Sequence, residues 1–396
     1  MNPRPSRRRA HIAMVGVPMV SHVLPGLEII RELVARGHRV TYANDPATRE
    51  LIEPTGAELV PCVSTLPFKD NIWPEDPIAA SALFLDDATA VLPRLRAFYD
   101  DDPADLYLYD IGAYVARALA EGQQRPFVQL SPTFVSWGGY QEEVGAQFRQ
   151  LPGAVELEER FGEWLAGNGA TTLDVGAFSG TPERAVAMIP RAMQLFADRV
   201  DPERVAFVGP CFGDRSEQGS WQRPDGAEKV LLVSLGSSYT QQPDFYRNCV
   251  AAFGGLAGWH VVLQIGKHVD PAELGDVPGN IEVCSWAPQL AILEQADAFV
   301  THAGMGSSSE GLFAGVPMIA VPQGAEQPLN ADRLVELGVA RRIDTADATA
   351  QALRTALVEL TSDPDVALRS ARLKAEVRDE GGTARAADLI EAELGG

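Results

Sequence analysis

The chain has 396 residues, a length that suggests two domains or slightly more. Its formal net charge of −21 argues against nucleic acid and anionic membrane as partners, and no apolar run reaches the roughly 18 residues of a membrane span. The cysteines are far apart in sequence and form no C-x-x-C pair, which disfavours both a disulfide framework and a zinc site.

The first elements form a strand–helix–strand unit. Residues 1–9 are basic, and the apolar stretch 11–17 is too short and too strand-like for a signal sequence, so we expect a disordered leader on a cytoplasmic protein. A buried strand over 9–17 is followed by a helix over 26–36 and a strand over 38–43. This order is typical of a parallel sheet covered by helices.

The rest of the first half continues the alternation. Predicted helices cover 47–55, 79–99 and 113–121, and predicted strands cover 58–62, 105–110, 126–130, 185–189 and 205–208. Residues 131–181 are expected to be irregular and aromatic. A Gly-, Pro- and charge-rich stretch at 209–229 then predicts a domain linker.

The second half repeats the pattern. Predicted strands cover 230–235, 259–265, 281–284, 298–301 and 318–321, and predicted helices cover 243–254, 289–295, 307–314, 327–338, 349–361, 364–379 and 382–394. The sequence therefore predicts an α/β protein with two strand–helix domains. A cleft between two such domains is a natural ligand site.

A Gly-rich loop follows the strand at 298–301. Gly304 and Gly306 allow a sharp bend, and a helix starting near Ser307 would present unpaired N–H groups to a phosphate beside His302. The loop lacks the G-K-[ST] of a Walker motif. A dinucleotide site stays open, because the loop resembles G-x-G-x-x-G and Glu326 follows about 20 residues later. An unoccupied turn of this kind is the other alternative.

Two residues of the first half could act together in proton transfer. His22 follows the first strand in a predicted loop, and a nearby helix start would keep its ring neutral and able to accept a proton. Asp110 ends the strand at 105–110, at the same edge of the sheet, and could orient that ring. The alternatives are a surface or capping role for His22 and a helix N-cap for Asp110.

Four further residues could bind a ligand that carries a base and several hydroxyl groups. Trp286 follows a strand, where an exposed indole could stack on a base, although a core tryptophan is the commoner case. Glu310 lies one turn into the predicted phosphate helix and could bind ribose. Glu326 and Gln327 follow the next strand and could bind a polyol.

Together these residues resemble the UDP-glycosyltransferase superfamily of GT-B fold, and within it the macrolide glycosyltransferases of the oleandomycin type. The similarity runs from His11 to Leu394 and is most specific in four stretches: 286–290 (Trp-Ala-Pro-Gln-Leu), 301–310, 322–327 and 233–238. The spacing of Trp-x-Pro-Gln, His-x-Gly and acid-Gln decides against the dinucleotide alternative.

The resemblance implies a fold of two Rossmann-like doubly wound domains facing a central cleft. An acceptor-binding domain would cover 1–208, a linker 209–229 and a nucleotide-sugar-binding domain 230–380, while a helix within 381–396 packs back towards the first domain. His22 would be the general base and Asp110 its partner. The implied donor-binding residues are Ser237, Trp286, Gln289, His302, Gly304, Gly306, Ser307, Glu310, Glu326 and Gln327. Apolar residues near the first domain's ligand edge would line the acceptor site: Phe68, Trp73, Phe134 and Trp137.

The implied reaction is inverting transfer of glucose from UDP-glucose to a hydroxyl of a macrolide-like natural product, for antibiotic inactivation or self-resistance. The resemblance implies no tightly bound cofactor and no protein metal site. A divalent metal ion would then at most increase the rate of transfer. A dTDP-deoxysugar transferase and a non-catalytic nucleotide-sugar-binding helper are the alternatives, with a hydride-transfer enzyme as a distant fourth reading. The oligomeric state stays open, with a homodimer as one option.

Overall fold

The computed structural model describes residues 9–69, 72–213, 219–236 and 239–395. The chain divides into two compact units. Unit 1 contains 1–189, 196–212 and 381–396, and unit 2 contains 190–195 and 213–380. Each unit therefore combines segments that are distant in sequence, because residues 190–195 join unit 2 and the last segment joins unit 1.

Unit 1 is built on a parallel sheet. Within the described residues it has seven strands in the order β3-β2-β1-β4-β5-β6-β7. The strands are β1 (His11–Val15), β2 (Arg39–Asn44), β3 (Glu58–Pro61), β4 (Leu106–Asp110), β5 (Phe127–Ser131), β6 (Ala185–Ala187) and β7 (Val205–Phe207). The chain builds outwards from β1 to β3 and then crosses to β4 on the other side of β1. Such a reversal between neighbouring strands opens a crevice beyond their carboxyl ends.

Helices cover both faces of this sheet. Leu27, Ile30 and Leu33 recur at helical spacing along α2 and are buried, and Gly37 stops the helix at a φ of 94°. The helices of unit 1 before the last segment are α1 (Val20–Val23), α2 (Leu27–Ala35), α3 (Arg49–Ile52), α4 (Pro77–Tyr99), α5 (Tyr114–Gly122), α6 (Ala146–Phe148), α7 (Ala154–Gly167) and α8 (Val175–Gly180). The single helix expected over 47–55 is instead α3 between two 3₁₀ turns, Pro46–Thr48 and Glu53–Thr55.

The expectation of an irregular region over 131–181 is wrong. The segment contains a π-helical turn at Gln141–Gly145, followed by α6, α7 and α8. Phe161 and Leu165 of α7 are buried, while its other face carries glutamates in solvent. The helical spacing was therefore present, but aromatic residues and glycines in the flanking segments obscured it.

Unit 2 has a second parallel sheet. Its strand order in the described residues is β10-β9-β8-β11-β12-β13, with a reversal between β8 and β11. The strands are β8 (Lys229–Ser234), β9 (Trp259–Gln264), β10 (Ile281–Cys284), β11 (Ala298–Thr301), β12 (Met318–Ala320) and β13 (Ala340–Arg342). The sequence did not predict β13, because three residues with two arginines show no strand periodicity.

Helices flank the second sheet as well. They are α9 (Pro243–Phe253), α10 (Gln289–Leu293), α11 (Met305–Ala314), α12 (Gln327–Glu336), α13 (Ala350–Ser362) and α14 (Pro364–Asp379). Gly315 ends α11 in the left-handed conformation, which glycine adopts without strain. Across the described ranges, no helix combines the length and the apolar composition needed to cross a lipid bilayer.

The last helix, α15 (Gly382–Glu393), belongs to unit 1, where it packs on α2. Ala386, Ala387 and Ile390 of α15 are fully buried in the core that contains α2. Glu391 reaches two residues in the connection between α2 and β2: its Oε1 lies 3.0 Å from His38 Nε2 and its Oε2 lies 2.6 Å from Arg36 Nη1. His38 Nδ1 accepts the Ala10 N–H at 3.3 Å, so Nε2 carries the proton donated to Glu391.

Candidate active site

His22 and Asp110 lie at the reversal point of the first sheet. His22 belongs to the short helix α1 and not to a loop, which corrects the sequence expectation. Asp110 is the last residue of β4 and is 1% exposed. Because β1 and β4 are parallel neighbours, both residues lie at the edge of the sheet formed by the carboxyl ends of the two strands.

The two side chains are in direct contact. His22 Nδ1 lies 2.9 Å from Asp110 Oδ2 and 3.1 Å from Oδ1. Asp110 Oδ1 also accepts the Gly112 N–H at 2.9 Å, whereas α5 begins after Ala113 without a side-chain cap. The carboxylate therefore does not cap α5. It accepts a hydrogen bond from Nδ1–H of the neutral ring, so that Nε2 is the atom that can take a proton from a substrate.

A cavity of about 330 Å³ lies in unit 1, and Ile111, directly after Asp110, is part of its wall. Its walls come from α5, α7, α8 and the π-helical turn. They are mainly apolar and aromatic, with a few polar groups. The lining includes Ile111, Tyr114, Tyr140, Gln141, Val144, Phe148, Arg149, Leu157, Glu158, Phe161, Val175 and Ser179.

The four aromatic residues predicted to bind an acceptor do not line this cavity. Trp73 stacks on Phe84 with ring centroids 5.7 Å apart, and Phe68 lies under the Lys69 amine. Trp137 packs against Tyr140 and Phe196 and donates from Nε1 to Glu143 Oε2 at 3.1 Å. Phe134 is half-buried. Their acceptor role stays a prediction. The helices of 141–180, which the sequence analysis treated as irregular, supply most of the wall instead.

In unit 2, the predicted phosphate loop leads into α11. Gly304 is the N-cap, and α11 begins at Met305, so Gly306 lies in the first turn of the helix and not in the loop. No side chain of the described residues caps this helix, and its first internal bond runs from Ser308 N–H to the Gly304 carbonyl. The preceding N–H groups are therefore available to an anion. Gly306 is exposed, and a Cβ there would meet nothing within 4 Å.

The ring of His302 is clamped between two glycines. A Cβ on Gly304 would lie 2.5 Å from His302 Nε2, and a Cβ on Gly236 would lie 2.7 Å from Cε1. Gly236 follows β8 and Gly304 follows β11, the two strands that meet at the reversal point. Both glycines therefore make room for the imidazole. Ser237, predicted to assist from the β8 loop, lies outside the described residues.

Desolvation by the surrounding protein lowers the pKa of His302 to about 4. The ring is therefore neutral at pH 7. Its Nδ1 is buried and has no hydrogen-bond partner among the residues that the structure describes. A neutral ring of this kind can hydrogen-bond a diphosphate without carrying a charge of its own.

We expect the low pKa of His302 to make stability depend on pH. Between about pH 6.5 and pH 4 the unfolded chain binds a proton at this position and the folded chain does not, so the free energy of unfolding falls as pH falls, by about 2 kcal/mol from pH 7 to pH 5. His302→Phe keeps a ring but cannot titrate. Its melting temperature should fall less over this range than that of the wild type. Equal slopes for the two proteins would contradict the assignment.

A polar cluster lies beside the amino end of α11. Gln289 Nε2 donates to Glu310 Oε2 at 2.7 Å and to Ser307 Oγ at 3.1 Å. Trp286, three residues before Gln289, is 58% exposed, which favours a stacking surface over a core position. The motif at 286–290 and the motif at 301–310 are thus joined by hydrogen bonds within unit 2.

Glu326 and Gln327 differ in their surroundings. Glu326 is exposed at the N-cap of α12. Gln327 is 3% exposed, and its Oε1 accepts the N–H groups of Gln323 at 2.8 Å and Gly324 at 3.2 Å. The carbonyl oxygen of Gln327 therefore shapes the preceding turn, which leaves its amide N–H groups for a ligand. No group of three or more metal-ligating side chains occurs in the described parts of the chain.

Comparison with known proteins gives consistent matches. Residues 254–391 match the family model for the C-terminal domain of erythromycin biosynthesis protein CIII-like proteins. The chain is 53% identical to the oleandomycin glycosyltransferase of Streptomyces antibioticus, over 97% of this chain and 91% of the relative. It is 34% identical to the NDP-glycosyltransferase YjiC of Bacillus licheniformis, over 97% and 98%. The solved glycotransferase of kitacinnamycin is 53% identical, with a TM-score of 0.91 over 98% of this chain and 100% of that one.

Proposed function

Because the chain belongs to the UDP-glycosyltransferase superfamily of GT-B fold, we propose that it transfers glucose from UDP-glucose to a hydroxyl of a macrolide-like natural product. The observation that carries this proposal is the contact of His22 Nδ1 with Asp110 Oδ2 at 2.9 Å, at the carboxyl ends of β1 and β4. A purely nucleotide-binding protein has no need for such a pair. The contact therefore favours catalysis over a non-catalytic helper role.

The acceptor assignment rests on unit 1. The cavity of about 330 Å³ has a mainly apolar wall with a few polar groups, the usual character of a small-molecule site. The relative of this protein from Streptomyces antibioticus is named for oleandomycin, a macrolide. We propose that the cavity holds part of a hydrophobic acceptor and that a hydroxyl of that acceptor reaches His22 Nε2.

The proposed reaction is a single displacement. His22 Nε2 takes the proton of the acceptor hydroxyl while the hydroxyl oxygen forms a bond to the anomeric carbon of glucose. The bond from that carbon to the diphosphate oxygen breaks on the opposite face, so an α-linked donor gives a β-glycoside. Asp110 stabilises the imidazolium that forms, because its negatively charged carboxylate accepts the hydrogen bond from Nδ1–H.

Unit 2 supplies the donor site in this proposal. The diphosphate gains charge as it leaves, and the N–H groups that open α11 stabilise that charge together with the neutral His302. Trp286 stacks on the base, Glu310 binds ribose hydroxyls, and Gln289 holds Glu310 in place. Glu326 and the amide of Gln327 bind the hexose. We propose that this reaction proceeds without a resident metal ion.

A dTDP-sugar donor is the second candidate. An indole stacks equally well on uracil and thymine. The Gln327 carbonyl is occupied by the turn at 323–324, which leaves fewer groups for sugar hydroxyls and is compatible with a deoxysugar. Glu326 still favours a hydroxylated hexose.

Mass spectrometry of the protein incubated with macrolides and either UDP-glucose or dTDP-glucose tests the proposal. A product heavier by one anhydrohexose from UDP-glucose supports it, and His22→Ala serves as the inactive control. Product from dTDP-glucose alone would support the second candidate. Binding of UDP without any product from a broad acceptor panel would move support to the helper role. Loss of antibacterial activity of the product would support a role in antibiotic inactivation.

The shape of the acceptor cavity depends on Gln141. Its Nε2 donates to the Gly176 carbonyl at 2.9 Å, and a Cβ on Gly145, Gly176 or Gly180 would approach its side chain to 2.5, 2.8 and 2.5 Å. Three glycines thus accommodate this one side chain in the cavity wall. We expect Gln141→Ala to widen the cavity and raise kcat/KM for bulky macrolides, relative to small ones, by about tenfold. The exposed Gln150 provides the control variant Gln150→Ala, and an unchanged preference in Gln141→Ala would contradict the prediction.

A further inference from the structure

Ala303 has a backbone conformation that alanine rarely adopts. It lies between His302 and Gly304, is fully buried, and has a φ of 60°, in the left-handed region that favours glycine. A non-glycine residue remains there only where its surroundings hold it. The loop that opens α11 is therefore held in a strained shape.

Two hydrogen bonds hold this residue. The Ala303 N–H donates to Thr301 Oγ1 at 3.1 Å, and the Ala303 carbonyl accepts from Asn330 Nδ2 at 2.9 Å. Thr301 belongs to β11, whereas Asn330 comes from α12, 27 residues after Ala303. Thr301 and Asn330 are both fully buried. The backbone of Ala303 is thus fixed on both sides by rigid elements.

Stability alone does not explain an asparagine at position 330. The Oδ1 of its side chain has no hydrogen-bond partner among the described residues. A buried acceptor without a partner is costly, and an apolar side chain of similar shape would avoid that cost but would leave the buried Ala303 carbonyl without its hydrogen bond. What the amide contributes is its bond to the Ala303 carbonyl.

This bond also determines the direction of the next N–H group. In a trans peptide the C=O and the N–H point in opposite directions, so fixing the Ala303 carbonyl fixes the Gly304 N–H. Gly304 is the N-cap of α11, where the proposed diphosphate site begins. We propose that Asn330 is a positioning residue, which holds the peptide between Ala303 and Gly304 in the orientation that binds the donor diphosphate. The inference rests on the proposed donor site at α11.

The test is UDP affinity, measured by titration calorimetry with full-length protein. We expect Asn330→Ala to weaken UDP binding about tenfold and to raise KM for the donor but not for the acceptor. Glycine adopts a φ near 60° without strain. Ala303→Gly added to Asn330→Ala should therefore recover most of the lost affinity, a recovery that a merely structural role would not give.

Asn248 offers a matched control in the same unit. Its Nδ2 also donates to one backbone carbonyl, that of Ala348, at 3.0 Å. We expect Asn248→Ala to leave UDP affinity unchanged. If Asn330→Ala does not fold, Asn330→Asp keeps the shape, removes the donor and tests the same point. Wild-type affinity in a folded Asn330 variant, or no recovery in the double variant, would overturn the inference. Absence of UDP and dTDP binding by the wild type would instead contradict the proposed donor site.

Discussion

We expect replacement of His22 by alanine to lower the rate of glycosyl transfer about 1000-fold and to leave UDP affinity unchanged. The acceptor hydroxyl must lose its proton as it attacks, and a positioned general base contributes about 10²- to 10⁴-fold to such a step. Because the residues proposed to bind the nucleotide sugar belong to unit 2, removing a side chain of unit 1 should not alter nucleotide binding. Product formation followed by mass spectrometry and UDP titration by calorimetry measure the two quantities separately.

A second histidine–carboxylate pair supplies the control. His260 Nε2 lies 3.1 Å from Glu282 Oε2 in unit 2, at a distance from its partner similar to that of His22. His260→Ala should retain the wild-type rate. Asp110→Asn should lose about 100-fold, because an amide cannot stabilise the imidazolium as a carboxylate does. Substantial transfer by His22→Ala would show that another group is the base.

Gly304→Ala should weaken UDP binding about 100-fold. Gly304 has a φ of −62° and a ψ of 148°, which any residue adopts, so backbone strain is not the cause. The new methyl carbon would instead lie 2.5 Å from His302 Nε2. Gly236 closes the other side of the ring, so the imidazole cannot move away without disturbing the β8 loop. Displacing the ring or the N-cap of α11 would move the N–H groups of the proposed diphosphate site, and small errors in such geometry are costly.

The steric origin of this effect can be isolated by a double-variant cycle. In a His302→Ala background the obstructing ring is gone, so adding Gly304→Ala should cause little further loss of UDP affinity. Gly279→Ala, in the same unit, is the matched control, because a Cβ there meets nothing within 4 Å. Additive losses of UDP affinity in the cycle, or wild-type affinity in Gly304→Ala, would contradict the proposal that Gly304 makes room for the His302 ring.

The strands of both sheets could mostly be predicted from the sequence, because their pattern is local. Buried parallel strands are short apolar runs, and twelve of the thirteen observed strands coincide with a predicted one. The proximity of His22 and Asp110 followed from the same logic, because parallel strands place their carboxyl ends at one edge. The GT-B fold implied by the motifs at 286–290 and 301–310 is confirmed by the relatives.

Features that depend on side-chain packing could not be predicted. The sequence shows Gly236 and Gly304 only as glycines that follow strands. The structure shows that the His302 ring lies between them. Gln327 was predicted to bind the sugar, and this remains a prediction. That its carbonyl oxygen also accepts a backbone N–H of the preceding turn could not be predicted. The cavity wall at 141–180 was not predicted, because its short helices alternate with glycines. These glycines make room for the Gln141 side chain, which the sequence alone does not show.

The position of α15 has a consequence for how the protein is made. Ala386, Ala387 and Ile390 complete the core around α2, yet they are synthesised after the whole of unit 2. A nascent chain therefore carries an unfinished core in unit 1, with Glu391, which binds Arg36 and His38, still missing, while the chain of the second sheet has already been made. Chimeric enzymes that exchange the two halves should accordingly move residues 381–395 together with the amino-terminal half.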